Sequence, residues 1–283
     1  MNTNSTRRTF LSAAAGIAGL SAIDVQPAAA IIEPEPWGLK LGVATYSFRN
    51  FDRAKTIEMI KALKVTYVSI KDVHLKQTDT PEQIRAGAKE FTDAGLKVMS
   101  GGNITLNETT AEAMRKHFEY AKNAGMKTIV CAPTPANVKI VEALAKEYDI
   151  VCAIHNHGPE DKNFPTPQSV LAAVKGMDHR MGLCMDIGHS ARTGVDVVKS
   201  IAEAGDRLLD MHVKDLADLS VKESQCDVGD GKMPFPAIFK QVKKMGYRGC
   251  INLEYEINGK DPMPGMQRSY SYMRGVLAGL ASA

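Results

Sequence analysis

The sequence predicts a (β/α)8 TIM barrel, and three observations carry that prediction. Short β-rich runs alternate with amphipathic helical stretches from residue 40 to the end of the chain. There are eight such pairs in about 250 residues, the size of that barrel. No Gly-x-Gly-x-x-Gly turn follows the first strand, which removes the dinucleotide-binding form of an open doubly wound sheet.

The strands are expected at Lys40 to Thr45, Tyr67 to Lys71, Lys97 to Gly101 and Thr128 to Ala132, then at Val151 to His155, Met181 to Asp186, Leu208 to His212 and Gly249 to Glu254. Between them, helical periodicity marks Ala54 to Leu63, Pro81 to Ala94, Ala111 to Ala124 and Ala136 to Tyr148. Later helices cover Pro167 to Val174, Val195 to Ala204, Phe235 to Lys244 and Gly265 to Leu280. Proline or threonine opens several of them, and Gly95, Gly125, Gly205 and Gly246 close helices just before the next strand. Gly101-Gly102-Asn103 reads as a close-approach turn after the third strand, and Asp227 to Gly231 as a flexible loop suited equally to a plain turn or a substrate lid.

Residues 1–30 stand apart from the fold. Arg7-Arg8 precedes an apolar run from Leu11 to Ile23, and Ala28-Ala29-Ala30 supplies a small-residue cleavage pattern, so a twin-arginine signal peptide is expected, with a barrel over residues 31–283 exported to the periplasm. The apolar run is shorter than the roughly 20 residues that span a bilayer, so no membrane contact is expected of the mature chain. With 44% hydrophobic residues the chain can bury a large core. A formal charge of +3 is too small to recruit nucleic acid. The five cysteines lack a tight metal-binding spacing and read as small buried hydrophobes.

Reactive groups of a barrel stand at the carboxyl ends of its strands. That filter selects Lys71-Asp72 with His74 beyond strand two, His155-Asn156-His157 at strand five, Asp186-Ile187-Gly188-His189 at strand six, Asp210-Met211-His212-Val213-Lys214-Asp215 at strand seven and Glu254-Tyr255-Glu256 at strand eight. Any one of these could serve only to cap a loop or a helix. Four consecutive strands, however, deliver His155, Asp186, His212 and Glu254 to one rim, a donor set suited to a divalent metal: Mn, Co, Mg, Fe or Zn.

The order Asp-x-Gly-His, His-x-Lys-Asp, Gly-x-Gly and Gly-Tyr-x-Gly before Glu-Tyr-Glu resembles the sugar phosphate isomerase/epimerase group of xylose isomerase-like TIM barrels, over nearly the whole chain after the leader. The resemblance implies a metal held by a strand-five Glu, a strand-six Asp, a strand-seven His and a strand-eight Glu. Asp186, His212 and Glu254 match; His155 stands where the family has Glu, which departs from epimerisation by two carboxylates. The runs Ile70 to His74 and Ala153 to Pro159 also resemble an exported branch associated with 3-keto-sugar hydratases and lyases.

These features imply a metal-dependent sugar isomerase or epimerase working through an enediolate on a small-molecule sugar or keto-sugar. The alternatives are a 3-keto-glycoside lyase or hydratase, and an exported sugar-binding barrel without catalysis. Endonuclease action on abasic DNA, known on the same barrel, is disfavoured by the low charge, the leader and the lack of His and Glu ligands on strands two and three. Lys71, Glu254 and His157 are the expected catalytic groups, and His74, His189, Lys214 and Glu256 the expected substrate contacts. Lys214 and Asp215 are also placed to orient the loop after His212. No phosphate site is evident, and oligomeric state is not legible.

Overall fold

A strand inside a closed barrel is covered on one face by the bore and on the other by helices, so it can be apolar throughout. Met181–Asp186 and Cys250–Leu253 are buried at every residue for this reason. The computed structural model describes residues 36–283; the expected signal peptide lies outside the described residues.

The strands are β1 (Lys40–Ala44), β2 (Tyr67–Ile70), β3 (Lys97–Leu106), β4 (Thr128–Pro133), β5 (Val151–His155), β6 (Met181–Asp186), β7 (Leu208–Val213) and β10 (Cys250–Leu253), with a short antiparallel ladder of β8 (Asp215–Leu216) and β9 (Gln225–Cys226). The barrel closes in the order β1-β10-β7-β6-β5-β4-β3-β2, every pair parallel. Around it run α1 (Arg53–Ala62), α2 (Pro81–Asp93), α3 (Ala111–Asn123), α4 (Val138–Tyr148), α5 (Pro167–Ala173), α6 (Ile187–Arg192), α7 (Val197–Ala204), α8 (Phe235–Lys244) and α9 (Met263–Ala281). None of the described helices is long and apolar enough to cross a membrane.

Local chemistry sets the helix starts. Thr80 and Thr166 form capping boxes with Gln83 and Ser169, each followed by proline in the first turn. Asp52, Thr110 and Asp196 cap α1, α3 and α7 through their side chains. Cys131, Cys152, Cys184 and Cys250 are buried thiols, as their apolar settings imply.

Three local features differ from the sequence reading. Gly101-Gly102-Asn103 is not a turn after a finished strand: β3 runs on to Leu106, and its register against β4 slips between Gly101 and Ile104. The close approach itself is real, because Gly102 has φ +134° and a Cβ there would collide with the Val130 carbonyl oxygen. Secondly, α6 follows β6 without a connecting loop, a six-residue helix too short to register as a periodic pattern.

Thirdly, the loop from Asp227 to Gly231 is fastened down. Asp215, 1% exposed, accepts hydrogen bonds from the backbone N–H groups of Gly229 (2.9 Å), Gly231 (3.2 Å), Met233 (3.0 Å) and Leu216 (2.9 Å). Tyr255 and Arg268 both donate to the Asp227 carboxylate, at 2.6 and 2.7 Å. Asp215 thus organises the chain between β8 and α8. Replacing it with alanine leaves several loop N–H groups unpaired, and Asp215→Ala is expected to lose about 2–4 kcal/mol of stability, read as a lowered denaturant midpoint, with Asp215→Asn intermediate because it keeps one acceptor oxygen.

Candidate metal centre

Asp186 ends β6 and also begins α6. Its Oδ1 accepts the backbone N–H of His189 at 2.8 Å, the N-cap bond of that helix. Its Oδ2 faces the bore, is fully buried and makes no hydrogen bond. A buried carboxylate oxygen without a donor requires a cation nearby. Asn156 fixes this arrangement by accepting from the Asp186 N–H at 3.1 Å and donating to Ser190 at 3.0 Å, which ties the ends of β5 and β6 together.

The other donors come from neighbouring strands in register. Asp186 lies opposite His212, and His212 opposite Asn252, so Glu254, two residues on from Asn252, falls on the same face. His155 closes β5. One donor atom from each of His155, Asp186, His212 and Glu254 lies within 4.8 Å of the others. His155 Nε2 is 3.1 Å from His212 Nδ1 and 3.7 Å from Asp186 Oδ2, and His212 Nδ1 is 3.5 Å from Glu254 Oε2. His155, Asp186 and His212 are at most 2% exposed. Inward-facing nitrogen and carboxylate oxygen at these spacings fit a divalent ion. Cys184 Sγ also lies within 4.8 Å of His155 and His212.

The electrostatics suit metal ligands at three of the four donors; at the fourth, His212, burial is outweighed by Cys184 and Glu254, which raise it well above the ordinary imidazole range, so an ion binding there displaces a proton. Burial, reinforced by His212 and His157, pushes His155 well below the usual imidazole range, so it is neutral and its lone pair is available. Burial opposes charge on Asp186 and Glu254, yet the Lys214 ammonium outweighs it and holds both ionised. Lys214 Nζ lies 2.9 Å from Glu254 Oε2, 3.2 Å from Asp186 Oδ2 and 2.5 Å from Glu256 Oε2. Burial works against its charge, but these three carboxylates raise it well above the ordinary lysine range.

A cavity of about 330 Å³ starts beside this ammonium, lined among others by His189, Arg192, Lys214, Gln225 and Glu256. His189 Nε2 stands 4.0 Å from Asp186 Oδ2, and the half-exposed His157 has its ring 4.3 Å from that of His155. His157, His189, Lys214 and Glu256 therefore gather around the four donors. Lys71 sits on the β2 side of the mouth, donating to the Asn103 carbonyl at 3.1 Å with the Tyr46 ring 5.6 Å away.

His74 is placed differently from the expectation of substrate contact. It is 3% exposed, and its ring nitrogens are engaged by Thr45 (3.0 Å), Thr56 (2.9 Å) and the Phe48 carbonyl (3.2 Å), so it joins the end of β1 to α1. Asp215 organises the segment after His212 by accepting the backbone N–H groups of Gly229, Gly231 and Met233. Among residues the sequence did not single out, Gln225 brackets Glu254 and Glu256, donating to the Glu254 carbonyl at 2.8 Å and accepting from the Glu256 N–H at 3.0 Å. Arg192, almost wholly buried and paired with Glu160, abuts His189. Neither lies at a barrel strand end, so the filter that found the ligands passes over both.

The family model described as xylose isomerase-like TIM barrel matches residues 57–276. The chain belongs to the xylose isomerase-like TIM barrel family. An uncharacterized protein from Parabacteroides distasonis is 26% identical, with a TM-score of 0.65 over 84% of this chain and 98% of that one. A D-psicose 3-epimerase solved in the presence of D-fructose has a TM-score of 0.67 over 85% of this chain and 100% of that one, at 17% identity, and shows the shared fold. The rhizopine catabolism protein MocC of Rhizobium meliloti is 30% identical over 142 residues, 45% of this chain. That match spans 42% of MocC, well under half its length.

The position of His74 has a measurable consequence. Burial is the main cause that lowers its pKa from the ordinary 6.5, so the folded chain keeps it neutral where the unfolded chain takes up a proton. The stability it contributes is complete above the unfolded value and is lost as pH falls below about 6.5. Melting temperatures measured between about pH 7.5 and 5.5 are expected to fall less steeply in His74→Gln than in the wild type; parallel profiles would show that His74 is not a source of the acid sensitivity.

Proposed function

We propose that the protein is a divalent-metal-dependent enzyme that moves a proton at the carbon beside the carbonyl of a sugar or keto-sugar, as an isomerase or epimerase. The observation that carries this reading is the meeting of four donor atoms, three of them buried, around an Asp186 Oδ2 that has the Lys214 ammonium 3.2 Å away but accepts no hydrogen bond, next to a cavity at the carboxyl-end rim. The similarity to a D-psicose 3-epimerase supports a sugar as the substrate class.

His155, Asp186, His212 and Glu254 would hold the ion. When bound, it would polarise the sugar carbonyl and a neighbouring hydroxyl and so acidify the adjacent C–H. The protein's own groups divide the remaining work. Lys214, held protonated by three carboxylates, is a hydrogen-bond donor to a sugar oxygen and not a base. Glu256 and His189 line the same cavity and offer an acceptor and a second polar contact for hydroxyls. Glu254, the least buried of the four donors, is the carboxylate assigned to the reacting carbon, His157 is exposed enough to exchange protons with solvent, and Lys71, on the opposite side of the barrel mouth, is assigned as the group that takes the carbon-bound proton.

One observation favours a second reading, elimination or hydration on a 3-keto-glycoside. With His155 in the strand-five position, the pair of opposed carboxylates suited to a two-base epimerisation is absent from the four donors. Loss of a proton beside a ketone, followed by departure of a β-oxygen substituent, needs one base and one acid, which Lys71 and His157 would supply. Residues 1–30 are proposed to direct export by the twin-arginine route.

Turnover and solvent deuterium incorporation on a panel of ketoses and 3-keto-glucosides are expected to vanish once chelation has brought metal content near zero, and to return on adding the ion back. Full activity of the stripped protein would refute the reading; metal binding with no exchange on any sugar would favour a sugar-binding barrel. Lys71→Met is expected to keep its metal while deuterium incorporation drops by about 10²–10⁴-fold. Unchanged incorporation would assign proton abstraction to Glu254.

A further inference from the structure

The donor set limits which ion the centre can hold. Taken as the metal site proposed above, it offers two imidazole nitrogens and two carboxylates, a formally neutral combination around a divalent ion. A third carboxylate in place of His155 would make it anionic. Lys214 reduces the negative potential further, with its ammonium 3.2 Å from Asp186 Oδ2 and 2.9 Å from Glu254 Oε2. An ion held chiefly by charge and by hard oxygen ligands gains little here.

Oxygen ligands are also scarce. Asp186 uses Oδ1 to cap α6, which leaves it one oxygen for an ion. Magnesium requires near-octahedral oxygen coordination and keeps several of its waters. Three of the four ligands are at most 2% exposed, and the imidazole rings of His157 and His189, with centroids 4.3 and 5.9 Å from that of His155, crowd that side of the donors. Imidazole nitrogen, by contrast, binds increasingly well from manganese towards the late first-row metals, and zinc accepts four ligands of mixed nitrogen and oxygen.

We infer that this centre selects a late first-row ion, zinc, cobalt(II) or nickel(II), over manganese and magnesium, and that His155 is the residue that sets the selection. The proton-transfer chemistry is then supported by a strong Lewis acid. The barrel supplies the other three donors whatever stands at position 155, so changing this one residue changes the ion preference without dismantling the cage.

The test is metal affinity, independent of turnover. The chelator-stripped chain is titrated with zinc, cobalt, manganese and magnesium against a chromophoric competitor, as wild type, His155→Glu and His155→Gln, each checked for folding by circular dichroism. The wild type is expected to bind zinc and cobalt at least about a hundredfold more tightly than manganese, and His155→Glu to narrow that ratio about tenfold or more. His155→Gln, which brings no new charge, is expected to weaken cobalt more than manganese, and it decides the matter if His155→Glu does not fold. The cobalt-loaded wild type is expected to show a visible band that moves in both variants and no thiolate charge-transfer band. A wild-type preference for manganese or magnesium, ratios unchanged in both variants, or a thiolate band from Cys184 would overturn the inference while leaving a metal centre in place. Failure of every ion to bind the wild type would instead remove the centre itself, and this inference with it.

Discussion

The fully buried carboxylate of Asp186 is the constraint around which this end of the barrel is arranged. One oxygen begins α6 by capping it, and the other has no hydrogen-bond donor and faces the bore. An ionised oxygen in that position would cost several kcal/mol if left uncompensated, so cationic charge must lie close by. Lys214 supplies part of it, and the convergence of His155, His212 and Glu254 on the same point shapes a place for more. The same carboxylate therefore couples helix geometry to the chemistry: moving α6 would move the oxygen.

Lys214 links the donors to the cavity. Its ammonium touches two of the four proposed ligands and Glu256 at once, while its own side chain lines the open space beside them. A change in the charge of the donors is felt directly by the group that would meet a sugar oxygen. The surrounding supports are rigid. Asn156 ties β5 to β6, Gln225 brackets the Glu254–Glu256 segment, and Asp215 with Asp227 fastens the loop before α8. A site preorganised in this way suits chemistry that depends on placing a C–H bond within reach of a base.

Much of this was legible in the sequence because barrel strands and helices announce themselves by period and by their caps. β5, β6 and α8 have the bounds that the apolar runs predict, and the strand-end filter brings out all four converging donors. What escaped follows from the same physics. α6 is too short for a periodic signal, and β3 runs through its glycines because Gly102 lets the backbone meet Val130 without breaking the strand. His74 looked like a rim residue by position, but the spacing of residues cannot tell a ring that faces the mouth from one that turns back to Thr45 and Thr56. Gln225 and Arg192 act from the short outlying strand β9 and from α6, whose partners are set only by folding.

The central claim is that one divalent ion is held by His155, Asp186, His212 and Glu254. Anomalous diffraction from crystals of the metal-loaded protein, collected on either side of the absorption edge of the bound element, addresses it most directly. The account predicts a single strong peak among His155 Nε2, Asp186 Oδ2, His212 Nδ1 and Glu254 Oε2, at roughly 2.0–2.2 Å from each. A peak bonded to Cys184, a peak that excludes His155, or no peak among these residues in a crystal shown to contain the metal would contradict it.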